Sequence, residues 1–119
     1  MNKVMFIEIG TGIDLHGQDV TVACARACRD AIGHNSMPGL RSVLPGNSLD
    51  NMKVHVTLGV PFHHEQVNIE TVKAVFPYGQ VFITIREGGL LASSGVILPE
   101  KGDQTDEMVI VNAVVEVGY

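Results

Sequence analysis

Residues 108–117 alternate without a break, with Val109, Val111, Ala113, Val115 and Val117 on one side and Ile110, Asn112, Val114 and Glu116 on the other. A period of two is a strand period, and a strand with one uniformly apolar side must lay that side on something. This run commits the chain to a sheet with at least one covered face. Residues 52–59 repeat the pattern, with Val54, Val56 and Leu58 against Lys53, His55 and Thr57. Residues 80–86 do so again, with Val81, Ile83 and Ile85 against Gln80, Phe82, Thr84 and Arg86. An apolar run at 3–9, interrupted by Glu8, supplies a further strand.

The cover comes from helical segments. Residues 18–32 place Val20, Cys24, Ala27, Cys28 and Ala31 on one stripe, with Ala23 beside it and Arg26, Arg29 and Asp30 off it. Asp19 suits the positive end of this helix, and Gly33, Asn35, Pro38 and Gly39 stop it. Small side chains along the stripe predict a close approach to the sheet. Residues 65–76 read as a second helix that buries Ile69, Val72, Val75 and Phe76, closed by Pro77 and Gly79. Residues 34–51 form an irregular connection with a turn at Pro45-Gly46-Asn47-Ser48. Residues 87–107 form another, with room for a short strand at 96–98. The expected fold is an α/β (α+β) two-layer sandwich. It is a four-stranded mixed sheet with two helices on one face, in the order β-α-β-α-β-β. At 119 residues the chain suits a single domain, 1–119.

The face away from the helices is expected to carry Phe6, Glu8, His55, Thr57, Phe82, Thr84, Arg86, Asn112, Val114 and Glu116. That mixture is too apolar for open water and too polar for a dry core. With a positive mean hydropathy of +0.22, it predicts a homo-oligomer that covers this face. The net charge is −5 and the basic residues are scattered singly, which argues against nucleic-acid binding. No apolar run approaches membrane-spanning length, and the N-terminal segment lacks a cleavage-like site. The cytoplasm is the expected compartment. Cys24 and Cys28 read as core residues of the first helix. One helical turn apart, they are badly placed for a disulfide.

Chemistry concentrates after the first strand, in Gly10-Thr11-Gly12-Ile13-Asp14-Leu15-His16-Gly17. Strand, glycine-rich turn and helix are the layout of a phosphate cradle. The letters do not match, because Leu15 stands where Gly-x-Gly-x-x-Gly requires glycine. Gly17-Gln18-Asp19 likewise replaces the Gly-Lys-Ser/Thr of a P-loop. Asp14 and His16 flank Leu15, so an extended turn points both to one side. That pair suits proton transfer, with Asp14 orienting His16, or a divalent metal held by both. Gly10, Gly12 and Gly17 would let a ligand approach the backbone. Asn35 and Ser36 beyond the first helix, and Gly88 and Gly89 in the long loop, are expected to complete the binding site. Capping of backbone amides by Asp14 is the structural alternative.

Three other clusters carry less. Phe62-His63-His64-Glu65 would add metal ligands only if it reached Asp14; otherwise it is a helix-start segment. Gly102-Asp103-Gln104-Thr105-Asp106, taken with Asp14-x-His16, imitates two motifs of metal-dependent phosphoesterases. The downstream histidine those enzymes require is missing, and an acidic turn is the simpler reading. Ser93-Ser94-Gly95 lacks a nucleophile elbow.

The segment Gly10–Gly17 resembles the N-terminal signature Gly-x-Gly-x-Asp-x-His-Gly of a small uncharacterised family of bacterial and plant proteins. Gly10, Gly12, Asp14, His16 and Gly17 all match it. The resemblance extends through Asn35-Ser36-Met37-Pro38-Gly39-Leu40, Pro77-Tyr78-Gly79, Glu87-Gly88-Gly89 and Gly118-Tyr119. It implies that the glycine segment is the defining feature, and it brings no activity, substrate or cofactor. A second similarity, of architecture, is to single domains of the ring-opening amidohydrolases, in Pro61 after a strand and Ser93-Ser94-Gly95 after another. Gly59 stands where those enzymes carry lysine, which removes their chemistry and leaves the expectation of a trimer. The functional expectation is a small-molecule enzyme or ligand-binding protein working at the 10–17 turn. The alternative is a non-catalytic structural or interaction oligomer.

Overall fold

The computed structural model describes all residues, 1–119, and measures 52 × 25 × 20 Å along its principal axes. Strands β1 (Val4–Asp14), β2 (Lys53–Val60), β3 (Gln80–Glu87), β4 (Leu90–Ser93) and β5 (Glu107–Gly118) form one mixed sheet. Its order is β1-β5-β2-β3, with β4 also beside β5. β5 runs antiparallel to β1, β2 and β4, while β2 and β3 are parallel. β2 pairs with the C-terminal half of β5 and β4 with its N-terminal half, so β4 continues the line of β2. Helix α1 (Val20–Gly33) lies across β1 and β5. Two shorter helices follow, α2 (Leu40–Val43) and α3 (Ile69–Lys73).

The two-layer α/β arrangement is as expected, with β4 as a fifth strand. The connection 34–51 contains α2 and two 3-10 turns. The second helix is shorter than its apolar pattern, a 3-10 turn at His64–Gln66 followed by α3. The extra strand falls at 90–93 rather than 96–98, because Leu90–Ser93 finds a free stretch of β5 edge to pair with.

The core forms where α1 meets the sheet. Ala23, Cys24, Ala27 and Cys28 are fully buried against Val109, Val111, Ala113 and Val115 of β5 and Leu58 and Val60 of β2. Asp19 caps α1, its Oδ1 accepting from the N–H of Thr21 at 3.0 Å and of Val22 at 3.2 Å.

β1 departs most from expectation. It does not end in a glycine turn at Gly10 but runs through both glycines to Asp14. A register shift between Val4 and Phe6 sets its parity, so that Glu8, Gly10, Gly12 and Asp14 face α1. Glu8 is therefore buried, not on the open face, and Phe6 packs against the core. Ile7, Ile9 and Ile13 point outward instead and are exposed. The physical reason is room. β-carbons on Gly10 and Gly12 would overlap backbone atoms of Ala27 and Ala23, so only glycine fits beneath the helix. A one-residue change of parity moves every side chain of a strand to the other face. No helix is long and apolar enough to cross a membrane.

Candidate functional site

The residues singled out by sequence fall into three places. The first is the turn from Leu15 to Gln18, between β1 and α1. Gly17 and Gln18 both take positive φ there, at 110° and 50°. The loop between β4 and β5 folds back onto this turn and brings Asp103 to its centre. Asp103 Oδ1 accepts from the N–H of Gly17 at 2.6 Å and from Gln18 Nε2 at 3.0 Å. Its Oδ2 accepts from the N–H of Leu98 at 2.9 Å and lies 2.7 Å from His16 Nδ1. Gln18 adds three further ties, Nε2 to the Glu107 carbonyl at 2.6 Å and the Thr105 carbonyl at 3.4 Å, and Oε1 from the Gln104 N–H at 2.8 Å. Burial pushes the Asp103 carboxyl up, but the donors from Leu98, Gly17, His16 and Gln18 outweigh it and hold the group at about 2.

Asp14 and His16 do not pair with each other. Asp14 Oδ2 accepts from the Asp19 N–H at 2.8 Å, and its Oδ1 stands 3.6 Å from Arg26. His16 takes Asp103 as its partner instead. Nowhere in the chain do three His, Cys, Asp or Glu side chains gather as a metal site requires. The histidine pair is no exception. His64 Nε2 bonds the Val60 carbonyl at 2.7 Å, and the His63 ring stacks on Phe62.

The second place is the far end of α1, about 20 Å away along a helix of this length. Asn35 and Ser36 follow the helix there and line a cavity of about 400 Å³. Its walls are the end of α1, Glu8 of β1, Val115 and Val117 of β5, and Met52, Val54 and Phe76–Tyr78 from the β2 side. Glu8 is only 6 % exposed. Its Oε2 accepts from Asn35 Nδ2 at 2.6 Å, and its Oε1 is buried with no hydrogen-bond partner. No other charged side chain lines the cavity.

The third place is the crossing from β3 to β4. Gly88 lies against Gly59, where a β-carbon would meet the Gly59 backbone. The Gly89 N–H donates to Asn112 Oδ1 at 3.2 Å, with φ at 65°. These glycines let the chain turn from the end of β3 past β2 and enter β4 beside β5. Neither lines the cavity at Asn35.

Sequence reasoning missed two residues. Asp103 sat in what read as an acidic turn, and nothing local marks it as the partner of His16. Glu8 lies on the face opposite to the one its strand pattern predicts, and a lone carboxylate inside an apolar strand is the available clue.

The fold and cavity define a two-layer α/β protein with one buried carboxylate beside an apolar pocket. The chain belongs to the conserved hypothetical protein family Lin0512_fam, whose model matches residues 4–117. It is also similar to a crystal structure described as an FtsZ-like protein of unknown function from Nostoc punctiforme PCC 73102. The two share 43% sequence identity with a TM-score of 0.86, over 97% of this chain and 93% of that one. No curated protein matches the chain.

Proposed function

We propose that this chain binds a small molecule in the cavity between the end of α1, Glu8 and Tyr78. The observation that carries the reading is Glu8, a buried side chain in the lining of a pocket of about 400 Å³ whose Oε1 has no hydrogen-bond partner. Ligand pockets occupy this size range and combine apolar walls with a few fixed polar groups. A buried carboxylate oxygen without a donor costs about 1–3 kcal/mol or more. Native proteins seldom leave such a cost standing, and a ligand that donates to Glu8 removes it. The terminal carboxyl torsion is soft, so either oxygen turns toward a donor easily. Asn35 and Ser36 contribute to this site as binding residues. Asp14, Gly17 and His16 serve it indirectly, by anchoring the start of α1. His16 is the chain's candidate for acid–base chemistry, with Asp103 as its orienting group, and it stands at the other end of the helix.

Methyl NMR of the methionines tests the reading. Met37 and Met52 line the cavity, whereas Met108 does not. Saturable shifts at Met37 and Met52 on titration with a mixed set of small fragments support it. A flat response from the whole set overturns it.

A second reading, self-association, rests on a separate observation. Ile7 and Ile9 are 63% and 70% exposed on β1, which is an edge strand of the sheet. A long apolar edge strand invites pairing with another chain. A homo-oligomer, with a trimer as the form expected from sequence, would cover this face.

A further inference from the structure

The charge distribution around the cavity assigns a ligand class, on the reading that the cavity binds a small molecule. We propose that it takes an organic cation, an ammonium or amidinium group carried on a compact apolar or aromatic body.

The first argument is the sign of the field. Glu8 is the one charged residue in the lining, and no Lys, Arg or His faces it there. The C-terminal end of α1 opens toward the same space at Asn35 and Ser36, and its last turn holds no basic residue. Carbonyls at a helix C-terminus carry the negative end of the macrodipole, which favours a cation and disfavours an anion. Carboxylate and helix end therefore act together.

The second argument is the division of labour at Glu8. Asn35 engages Oε2 and no group of the chain engages Oε1, so a turn of the soft carboxyl torsion leaves one oxygen for a donor in the cavity. An amidinium or ammonium supplies N–H donors, and a charge-assisted hydrogen bond to a buried carboxylate is about twice as strong as a neutral one.

The third argument is the shape of the rest. Phe76 and Tyr78 put two aromatic residues in the lining, a composition that suits a cation or a flat ligand body, and Met37 and Met52 offer adaptable apolar contact. A bare metal ion does not fit this description. A single carboxylate beside one amide and the hydroxyls of Ser36 and Tyr78 is a poor oxygen set for calcium or magnesium, and no metal cluster forms here.

The test uses the full chain and three probes of one shape: benzamidinium, the neutral benzamide and the anionic benzoate. Each is titrated while the Met37 and Met52 methyls are followed. Benzamidinium is expected to bind at least about tenfold more tightly than benzamide, as one charge-assisted bond implies. Benzoate is expected to give no saturable shift. Glu8→Gln keeps the shape and the acceptor for Asn35, and it should bring the benzamidinium-to-benzamide ratio close to one. Equal affinity of benzamide and benzamidinium in the unmodified protein overturns the cation assignment while leaving the cavity as a binding site. Silence from all three probes overturns both. Should Glu8→Gln fail to fold, the ratio in the unmodified protein decides alone.

Discussion

Gly12 runs so closely beneath Ala23 that a β-carbon on the glycine would overlap the alanine's carbonyl oxygen. The obstacle is helix backbone, which has no rotamer to change. Gly12→Ala is therefore expected to destabilise the fold by about 3 kcal/mol or more, the upper end of overpacking penalties. Gly33, at the end of α1, meets nothing within 4 Å. Gly33→Ala should be neutral, or stabilising by about 0.5–1 kcal/mol through helix propensity and a less flexible unfolded chain. Urea unfolding of both variants checks this. A Gly12→Ala midpoint equal to that of the unmodified protein would remove the close-packing account of the glycine segment.

Asp103 ties two distant loops together and makes stability depend on pH. Its folded value of about 2 lies below the ordinary 3.8. A depressed carboxylate contributes stability that is present above its unfolded value and lost as the pH falls through its folded value. The unmodified protein should lose urea resistance between pH 3.8 and about 2. Asp103→Asn should start less stable at neutral pH and show a shallower loss across that window. Asp30, also held low by the Thr11 N–H and His34, contributes equally to both proteins. Parallel pH profiles would show that Asp103 does not carry the effect.

The thiols of Cys24 and Cys28 are pushed up to about 12, chiefly by burial beneath α1. The thiolate is the reactive form, so neither residue should react with a disulfide reagent in the folded chain at pH 8. Both should react at once in denaturant. Rapid labelling of the native protein would mean that α1 lifts from the sheet far more often than its packing implies.

Ile9, 70% exposed, tests the open face. Ile9→Glu should change the stability of an isolated chain by no more than about 0.5 kcal/mol. If β1 and its face join copies of the chain, the same change should shift sedimentation toward the monomer. An unchanged oligomer distribution would remove this face from any self-association.

Much of the fold was legible because its causes are local. The alternation of β2, β3 and β5, the small-residue stripe of α1 and its stop after Gly33 all sit in neighbouring residues. The parity of β1 was not legible. Its isoleucines argue for one face and its glycines for the other, and the contest is settled only when α1 presses on Gly10 and Gly12. The same parity carries Glu8 from the open face, where alternation alone puts it, to the buried one. The candidate site was legible in its letters and not in its grouping. Asp14, His16, Asn35 and Gly88 all have definite structural partners, but at three separate places.

The sequence by itself determined the architecture, because helical and strand periods are properties of adjacent residues, and it marked Gly10–Gly17 as unusual. Only the tertiary structure decided what that segment touches. It paired His16 with Asp103, separated from it by 87 positions in the chain. It also buried Glu8 beside Asn35 at a cavity wall. Such pairings depend on how closely a helix can approach a strand and which loop folds back over its end. No window of neighbouring residues contains that information.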